Sequence, residues 1–155
     1  MTTSRALIGL AVAALGGVAV FAGLAWRAVS VVQTDANGSQ NSFQEALASV
    51  PSQQPLVQRD AQGHFVRNLD GGPVGPPATQ LHVLAYYADG QRLVRADVPL
   101  LFLKVKGPAI GYALRGTGFD LETLGLTAGE LESAGSRVVL DEMRTMGDRL
   151  LVWTN

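Results

Sequence analysis

A run of twenty residues near the N-terminus, Ala6 to Ala25, contains no polar side chain. With a rise of about 1.5 Å per residue, a helix of this length spans about 30 Å, which matches the hydrocarbon core of a bilayer. A helix also satisfies every backbone group of such a segment in lipid. Arg5 and Arg27 flank the run, and Trp26 stands where interfacial aromatic residues occur. The sequence therefore predicts one transmembrane helix within residues 1–30.

The residues that flank this run indicate its orientation and its alternative. Only Met1 to Arg5 precede it, and so short a basic tail favours a cytoplasmic N-terminus. The C-terminal part is then extracytoplasmic, which means periplasmic in a bacterium. A cleaved signal peptide is the alternative, because Gly23 and Ala25 form a small-x-small site. The run is longer than the apolar region of about 7 to 15 residues that is usual in signal peptides, which favours a retained anchor.

Small residues follow one face of the predicted transmembrane helix. They recur at alternating spacings of four and three residues, at Gly9, Ala13, Gly16, Val20 and Gly23. Small side chains let two helices approach closely in lipid, so this face is predicted to pack against another transmembrane helix. The alternative is that a chain rich in Gly and Ala places small residues at such positions without a packing role.

Composition restricts the chemistry of the remaining residues. The chain has no cysteine, which excludes disulfides and thiolate metal sites. Its formal net charge is -1, whereas a general nucleic-acid-binding surface needs a basic excess. His64 and His82 are the only histidines, and neither has a second histidine three or four residues away. We therefore expect no nucleic-acid partner, no metal, no other cofactor and no enzymatic activity.

Residues 31–80 are rich in Gln, Ser, Asn, Pro and Gly, and this composition predicts a linker. A short helix is predicted within it over residues 42–50, because Ser42 and Glu45 have capping-box spacing. A second ordered segment is a hairpin predicted over residues 56–68.

The predicted helix over residues 42–50 has one apolar face, which includes Phe43, Leu47 and Val50. A helix of this length is unstable alone in water, so it needs a surface to pack on. We expect Phe43, Leu47 and Val50 to dock on the distal domain, on the membrane surface or on a partner protein.

Residues 81–155 are predicted to form a small α+β domain with an antiparallel sheet and two short helices. Alternating residues on both sides of Asp89-Gly90 predict a hairpin of the strands 81–87 and 92–98. The apolar run that follows, 100–106, is predicted to be an inner strand.

The second half of this domain is predicted to contain the two helices and a second pair of strands. One helical turn is predicted over 120–124, and Thr127 with Glu130 has capping-box spacing at the start of the next helix. The runs 138–140 and 150–153 are rich in residues that favour strands.

A glycine-rich passage over residues 107–118 is the distal segment most suggestive of ligand binding. Its backbone amides and the nearby basic side chains would suit an anionic small molecule or a lipid head group. The candidate anion-binding residues are Lys104, Lys106, Arg115, Gly116 and Gly118. The passage matches neither the dinucleotide nor the P-loop fingerprint, so a structural turn is the simpler interpretation.

The sequence as a whole favours a single-pass membrane protein that acts through protein-protein contacts, as an accessory or assembly subunit of a larger membrane complex. Its expected partners are the membrane and other membrane protein subunits. A binding module for an anionic ligand, either tethered to the membrane or secreted, is the alternative function.

Overall fold

A five-stranded antiparallel sheet is the centre of the fold. The computed structural model describes residues 29–51, 54–68, 72–104, 114 and 117–155. Its strands and α-helices in chain order are β1 (Val29–Gln33), α1 (Ala36–Ala48), β2 (Val57–Arg59), β3 (Phe65–Arg67), β4 (Gln80–Tyr87), β5 (Arg92–Pro99), α2 (Leu100–Lys104), α3 (Ala128–Ala134), β6 (Arg137–Met143) and β7 (Arg149–Thr154), with a 3-10 helix, Thr145–Gly147, between β6 and β7. The strand order in the main sheet is β1-β5-β4-β7-β6, while β2 and β3 form a separate pair.

Two hairpins supply four of the five strands in the main sheet. β4 pairs with β5 and β6 pairs with β7, in each case antiparallel. The two hairpins are joined by antiparallel pairing of β4 with β7, which brings the last strand of the chain into the middle of the sheet. β1 then pairs with β5 and forms one edge.

The predicted α+β class with an antiparallel sheet is confirmed. The hairpin predicted at Asp89-Gly90 is present as β4 and β5, and the shorter one predicted over residues 56–68 is present as β2 and β3. The predicted transmembrane helix lies outside the described residues. Within the described ranges, no helix is both long enough and apolar enough to cross a membrane.

Both faces of the main sheet are covered. On one face, which we call the α3 face, buried Leu81, Val83 and Val152 pack in one cluster with Leu131 of α3. The opposite face, which we call the α1 face, contributes Leu84, Tyr86, Val138, Leu151 and Trp153 to a second buried cluster. Burial of each such side chain stabilises the fold by roughly 1.5 to 3 kcal/mol.

Helix α1 covers the α1 face with its apolar side. Phe43 is buried to 1% exposure and belongs to the same cluster as Trp153 of the sheet. The guanidinium carbon of Arg149 lies 4.6 Å from the centre of the Phe43 ring, which places a cation over that ring. The apolar face of α1 is therefore packed on the domain of its own chain.

The observed start of α1 differs from the predicted helix over residues 42–50. The N-cap is Asp35, whose carboxylate accepts a hydrogen bond from the Gly38 amide at 2.7 Å. Ser42 lies inside the helix, and its hydroxyl donates to the Gly38 carbonyl instead of capping the helix. The capping box predicted at Ser42 was wrong, because the earlier Asp35 cap starts the helix two turns upstream.

The structure also differs from a linker over residues 31–80. β1 belongs to the main sheet, α1 covers one of its faces, and the β2–β3 pair lies beside β6. The polar composition of this stretch reflects elements with one exposed side rather than a chain without structure. Much of the segment therefore folds with residues 81–155.

The inner strand predicted over residues 100–106 was wrong, because residues Leu100–Lys104 form the helix α2. Pro99 ends β5, and the Leu100 amide donates to the Thr79 carbonyl at 2.9 Å. An apolar run of this length fits a buried strand and a buried helix equally well by periodicity, so the pattern alone did not separate them.

Helix α3 begins at the predicted capping box. The Glu130 carboxylate accepts from the Thr127 amide at 2.7 Å, and the Glu130 amide donates to the Thr127 hydroxyl at 3.2 Å. Gly135 ends the helix with a φ of 73°. A Cβ atom there would lie 2.1 Å from the Val74 carbonyl oxygen, so this position requires glycine.

Replacement of Phe43 by alanine tests the packing of α1. We expect Phe43→Ala to lower the free energy of unfolding by about 3 to 5 kcal/mol, because it leaves a cavity between α1 and the sheet. Urea unfolding of the full chain in mild detergent, followed by tryptophan fluorescence, measures this change. Gln44→Ala, on the exposed side of α1, is the matched control. Equal stability of the two variants would contradict this packing.

Candidate interaction surface

The strand β1 forms an exposed edge of the main sheet. It pairs with β5 on one side, and no described strand pairs with its other side. Val31 is 59% exposed and Val32 is 55% exposed, so two large apolar side chains of one short strand face solvent. Its sequence, VSVVQ, contains no charged residue and no proline. An edge without these features is a ready template for pairing with another strand.

The β1–β5 register shows which backbone groups of β1 are paired within the domain. Gln33 lies opposite Arg92, and the next residue on each strand continues the register. There, the Thr34 amide donates to the Gln91 carbonyl at 2.9 Å. In an antiparallel ladder, hydrogen-bonded and non-hydrogen-bonded pairs alternate. The register therefore fixes the direction of every backbone group along β1.

Alternation from this hydrogen-bonded pair assigns Ser30 and Val32 to the bonds with β5. The N–H and C=O groups of Val29, Val31 and Gln33 consequently point away from the sheet. Three residues of β1 thus present both donors and acceptors along the free edge. This row of backbone groups, with the exposed Val31 and Val32 side chains, is the surface we call the β1 edge.

The opposite edge of the sheet, at β6, is protected. The Leu56 amide donates to the Val138 carbonyl at 3.1 Å, so the segment next to β2 covers part of this edge. Farther along, the Arg59 side chain donates to the Glu142 carboxylate at 2.6 Å. β6 also contains charged residues, which discourage pairing with another chain. The two edges therefore differ in both cover and charge.

The β1 edge lies close in sequence to the predicted transmembrane helix. Only the residues 26–28 separate Ala25, the last residue of the apolar run, from Val29, the first residue of β1. Fully extended, this connection spans at most about 14 Å. A domain joined to a membrane helix by so short a segment is confined to the membrane surface.

An ionisable cluster lies on the α1 face beside the C-terminus. His82 Nδ1 lies 2.5 Å from Asp97 Oδ1, and the His82 ring stacks on Trp153 with the ring centres 5.0 Å apart. Arg95 also contacts the Asp97 carboxylate, at 3.2 Å. Burial by itself raises the pKa of the Asp97 carboxyl. The His82 hydrogen bond and the charges of Arg95 and His82 together outweigh burial, so the pKa of Asp97 lies below the usual 3.8.

The Asn155 side chain closes this cluster, because its Oδ1 lies 3.1 Å from His82 Nε2. The cluster therefore ties β5, β4 and the last residue of the chain together. Among the described residues, no group of three or more His, Asp or Glu side chains is arranged to hold a metal ion. The geometry accounts for His82 and Asp97 as structural residues.

Most carboxylates of the described second half of the domain are engaged in ion pairs with basic residues of the same domain. The pairs are Glu130 with Arg67, Glu132 with Lys104, Asp141 with Arg149, and Glu142 with both Arg59 and Arg144. Such pairs contribute little stability each when they are exposed. Their effect is to neutralise charge locally.

Arg137 is an unusual buried cation at the start of β6. It is 2% exposed, and its guanidinium donates to the carbonyls of Gly72 and Gln54 at 3.3 and 3.1 Å. Burial lowers the pKa of the Arg137 guanidinium. Among the residues that the structure describes, its Nε atom has no hydrogen-bond partner. Arg137 thus connects two loop segments to the sheet, a role that its sequence context did not reveal.

All three predicted docking residues pack against the domain of their own chain. Phe43 and Val50 are buried in the cluster on the α1 face, and Leu47 packs against the same cluster while half-buried. These side chains contact the distal domain, which was one of the three surfaces considered. The predicted helix-packing residues Gly9, Ala13, Gly16, Val20 and Gly23 all lie outside the described residues.

The structure describes two of the predicted anion-binding residues, Lys104 and Gly118, and each has a polar contact within the domain. Lys104 Nζ pairs with Glu132 at 2.5 Å. Gly118 has a φ of 64°, and its carbonyl accepts a hydrogen bond from Arg144 at 3.1 Å. Lys106, Arg115 and Gly116 lie outside the described residues. In the described part, the available cation is thus already paired within the domain.

Sequence reasoning missed the strand β1, because the boundary between tail and linker was set at residues 30 and 31. The run VSVV, rich in β-branched residues, was the available signal. The position of β1 at the sheet edge cannot be predicted from this run, because it depends on pairing with β5, some sixty residues away.

Comparison of the chain with protein-family models, with curated proteins and with solved structures finds no match.

Replacement of Asp97 by asparagine tests the ionic cluster. A carboxylate whose pKa is lowered by folding stabilises the fold fully above its unfolded pKa, near 3.8, and loses this effect as the pH falls through the folded pKa. We expect Asp97→Asn to lower the Tm near neutral pH, and the difference from wild type to shrink in acid below pH 3.8. Thermal unfolding across pH measures this.

Asp89→Asn, in the exposed turn between β4 and β5, is the control and should leave the Tm unchanged at every pH. A Tm deficit of Asp97→Asn that is the same in acid as at neutral pH would show that the carboxylate charge does not stabilise the cluster.

Proposed function

We propose that this chain is a single-pass, membrane-anchored accessory or assembly subunit of a larger membrane protein complex, and that it acts through protein-protein contacts. Its N-terminus lies in the cytoplasm, and its α+β domain lies on the extracytoplasmic side of the cell membrane. The role is structural rather than enzymatic.

The short connection between the apolar run and β1 is the observation that carries this proposal. β1 is part of the main sheet, and residues 26–28 alone separate it from Ala25. A domain on such a connection cannot move away from the membrane surface into bulk solvent. This favours a role at the membrane surface, beside other membrane subunits, over capture of soluble molecules at a distance.

The exposed groups of the domain also favour protein contacts. The β1 edge offers unpaired backbone groups and two exposed valines, which suit recognition of another strand by β-augmentation. In contrast, most of the described carboxylates of the second half of the domain, namely Glu130, Glu132, Asp141 and Glu142, are engaged in ion pairs within the domain. The domain therefore presents a surface for binding more clearly than a group for catalysis.

The alternative function, binding of an anionic small molecule or lipid head group, has less support. Of its candidate cations, Lys104 is described, and it is paired with Glu132. An anion at this position would have to compete with a carboxylate that the fold already holds in place.

Cell fractionation tests the membrane anchor. We expect the full chain to stay in the membrane pellet after alkaline carbonate extraction, with an intact mass that includes residues 1–25. Protease added to the extracytoplasmic side should digest the domain. A mature chain that begins at Trp26, or release of the full chain by carbonate, would contradict a retained anchor and favour a cleaved signal peptide.

Substitution within the apolar run tests its proposed contact with other subunits. We expect Gly16→Leu to reduce the size of the complex on native gels after mild detergent extraction, because a large side chain blocks close helix approach. Ala14→Leu is the matched control, since a helix places Ala14 on the opposite face. Wild type that migrates as a monomer, together with unchanged migration of Gly16→Leu, would contradict the proposed role.

A further inference from the structure

We infer that the partner of the β1 edge is a second copy of this chain, and that two β1 strands pair antiparallel about a twofold axis centred on Val31. The pairing joins two five-stranded sheets into one continuous sheet. It deepens the proposed function by naming one protein contact of the domain, and it rests on that function because the membrane anchor supplies the local concentration.

The backbone pattern of β1 is self-complementary about Val31. The outward groups belong to Val29, Val31 and Gln33, and Val31 is the middle residue of the strand. An antiparallel pair centred there places Val31 opposite Val31 of the second copy and Val29 opposite Gln33 of the second copy. Each of these is a hydrogen-bonded pair that exchanges two bonds, so about six backbone bonds form. Every outward donor and acceptor of the strand is then satisfied.

The side chains of β1 favour the same arrangement. Identical charges that face each other across a twofold axis are destabilising, but β1 carries none. The Val31 side chain, 59% exposed in one chain, would contact its own symmetry mate. Ser30 would lie opposite Val32 of the second copy, at a non-hydrogen-bonded pair. A second copy of β1 is therefore sufficient to pair with the free edge of the first.

The small size of this contact explains why the anchor matters. Two strands of five residues bury far less than the roughly 1,200 to 2,000 Å² of a stable soluble interface. Two copies anchored in one membrane meet at a high effective concentration, which makes a weak contact effective. Free in solution at low concentration, the same domain should be largely monomeric.

The connection to the anchor permits this dimer. In the proposed pairing, the two Val29 residues lie about 15 Å apart, since each is two residues from the axis at about 3.4 Å per residue. Each segment of residues 26–28 spans at most about 14 Å. Two membrane helices packed about 8 to 10 Å apart are therefore within reach of both strands.

Cysteine cross-linking in the native membrane tests the pairing and its register. The chain has no cysteine of its own, so each introduced cysteine reports one position. In the proposed register, two Cys side chains at position 31 have Cα atoms about 5.5 Å apart, within the range for a disulfide. We expect Val31→Cys in the full chain to form a disulfide-linked dimer under mild oxidation.

The neighbouring positions give the control for register. In Ser30→Cys alone or Val32→Cys alone, the two identical cysteines of a dimer are diagonal neighbours across the strand pair. Their Cα atoms lie about 7 to 8 Å apart, which is too far for a disulfide to form readily. Co-expression of the two variants pairs position 30 with position 32 and should restore the dimer. Gln44→Cys, exposed on α1, should not cross-link. No dimer from Val31→Cys, or equal dimer from all four single variants, would overturn the inference.

A charge substitution tests the same contact without oxidation. Val31→Lys would place two ammonium groups against each other at the axis, so we expect a several-fold loss of dimer on native gels. Val66→Lys, at a valine of β3 that is 51% exposed, is the matched control and should leave the dimer intact. Unchanged dimer in Val31→Lys would place the contact elsewhere and overturn the inference.

The same samples separate this inference from the proposed function. Carbonate-resistant chain with no Val31→Cys dimer overturns the β1 pairing and leaves the membrane-anchored role standing. Chain released by carbonate overturns the anchor. If the released chain still gives the Val31→Cys dimer with the expected register, the β1 pairing stands independently of the membrane. If the released chain gives no Val31→Cys dimer, both the membrane anchor and the β1 pairing are overturned.

Discussion

The pairing of β7 with β4 is the interaction on which the rest of the domain depends. β7 is the last strand of the chain, yet it lies between β4 and β6 and joins the two hairpins of the sheet. Its residues alternate between the α3 face, through Leu150 and Val152, and the α1 face, through Leu151 and Trp153. Without it, the two hairpins would not be joined into one sheet.

A sheet that is apolar on both faces needs cover on both, and this requirement brings the N-terminal segment into the domain. α3 covers one face from within the second half of the chain, while the opposite face is covered by α1, which precedes the other helices. Once α1 is packed there, β1 lies just before it in the chain and adds to β5 as the edge strand. The need to bury the α1 face thus brings β1, which lies near the apolar run in the sequence, into the sheet.

The elements that the sequence predicted well are those with local signals. The β4–β5 hairpin follows from alternation on both sides of a turn, and α3 follows from the capping box of Thr127 and Glu130. α2 was mistaken for a strand because its apolar run has no periodicity. The β1 edge and the burial of Arg137 could not be predicted from the sequence, because both depend on contacts between segments that are distant in the chain.

In the dimer that we propose, the outer side of β1 is paired when the chain lies in the membrane. Amide hydrogen exchange of the full chain in bilayers, resolved to single residues, tests it most directly. We expect the Val31 and Gln33 amides to be protected there as strongly as those of Ser30 and Val32. We also expect the Val31 and Gln33 amides to lose this protection in a stronger detergent that, unlike the mild detergent of the native gels, disperses the chains as monomers. Rapid exchange at Val31 and Gln33 in bilayers, with Ser30 and Val32 protected, would contradict it.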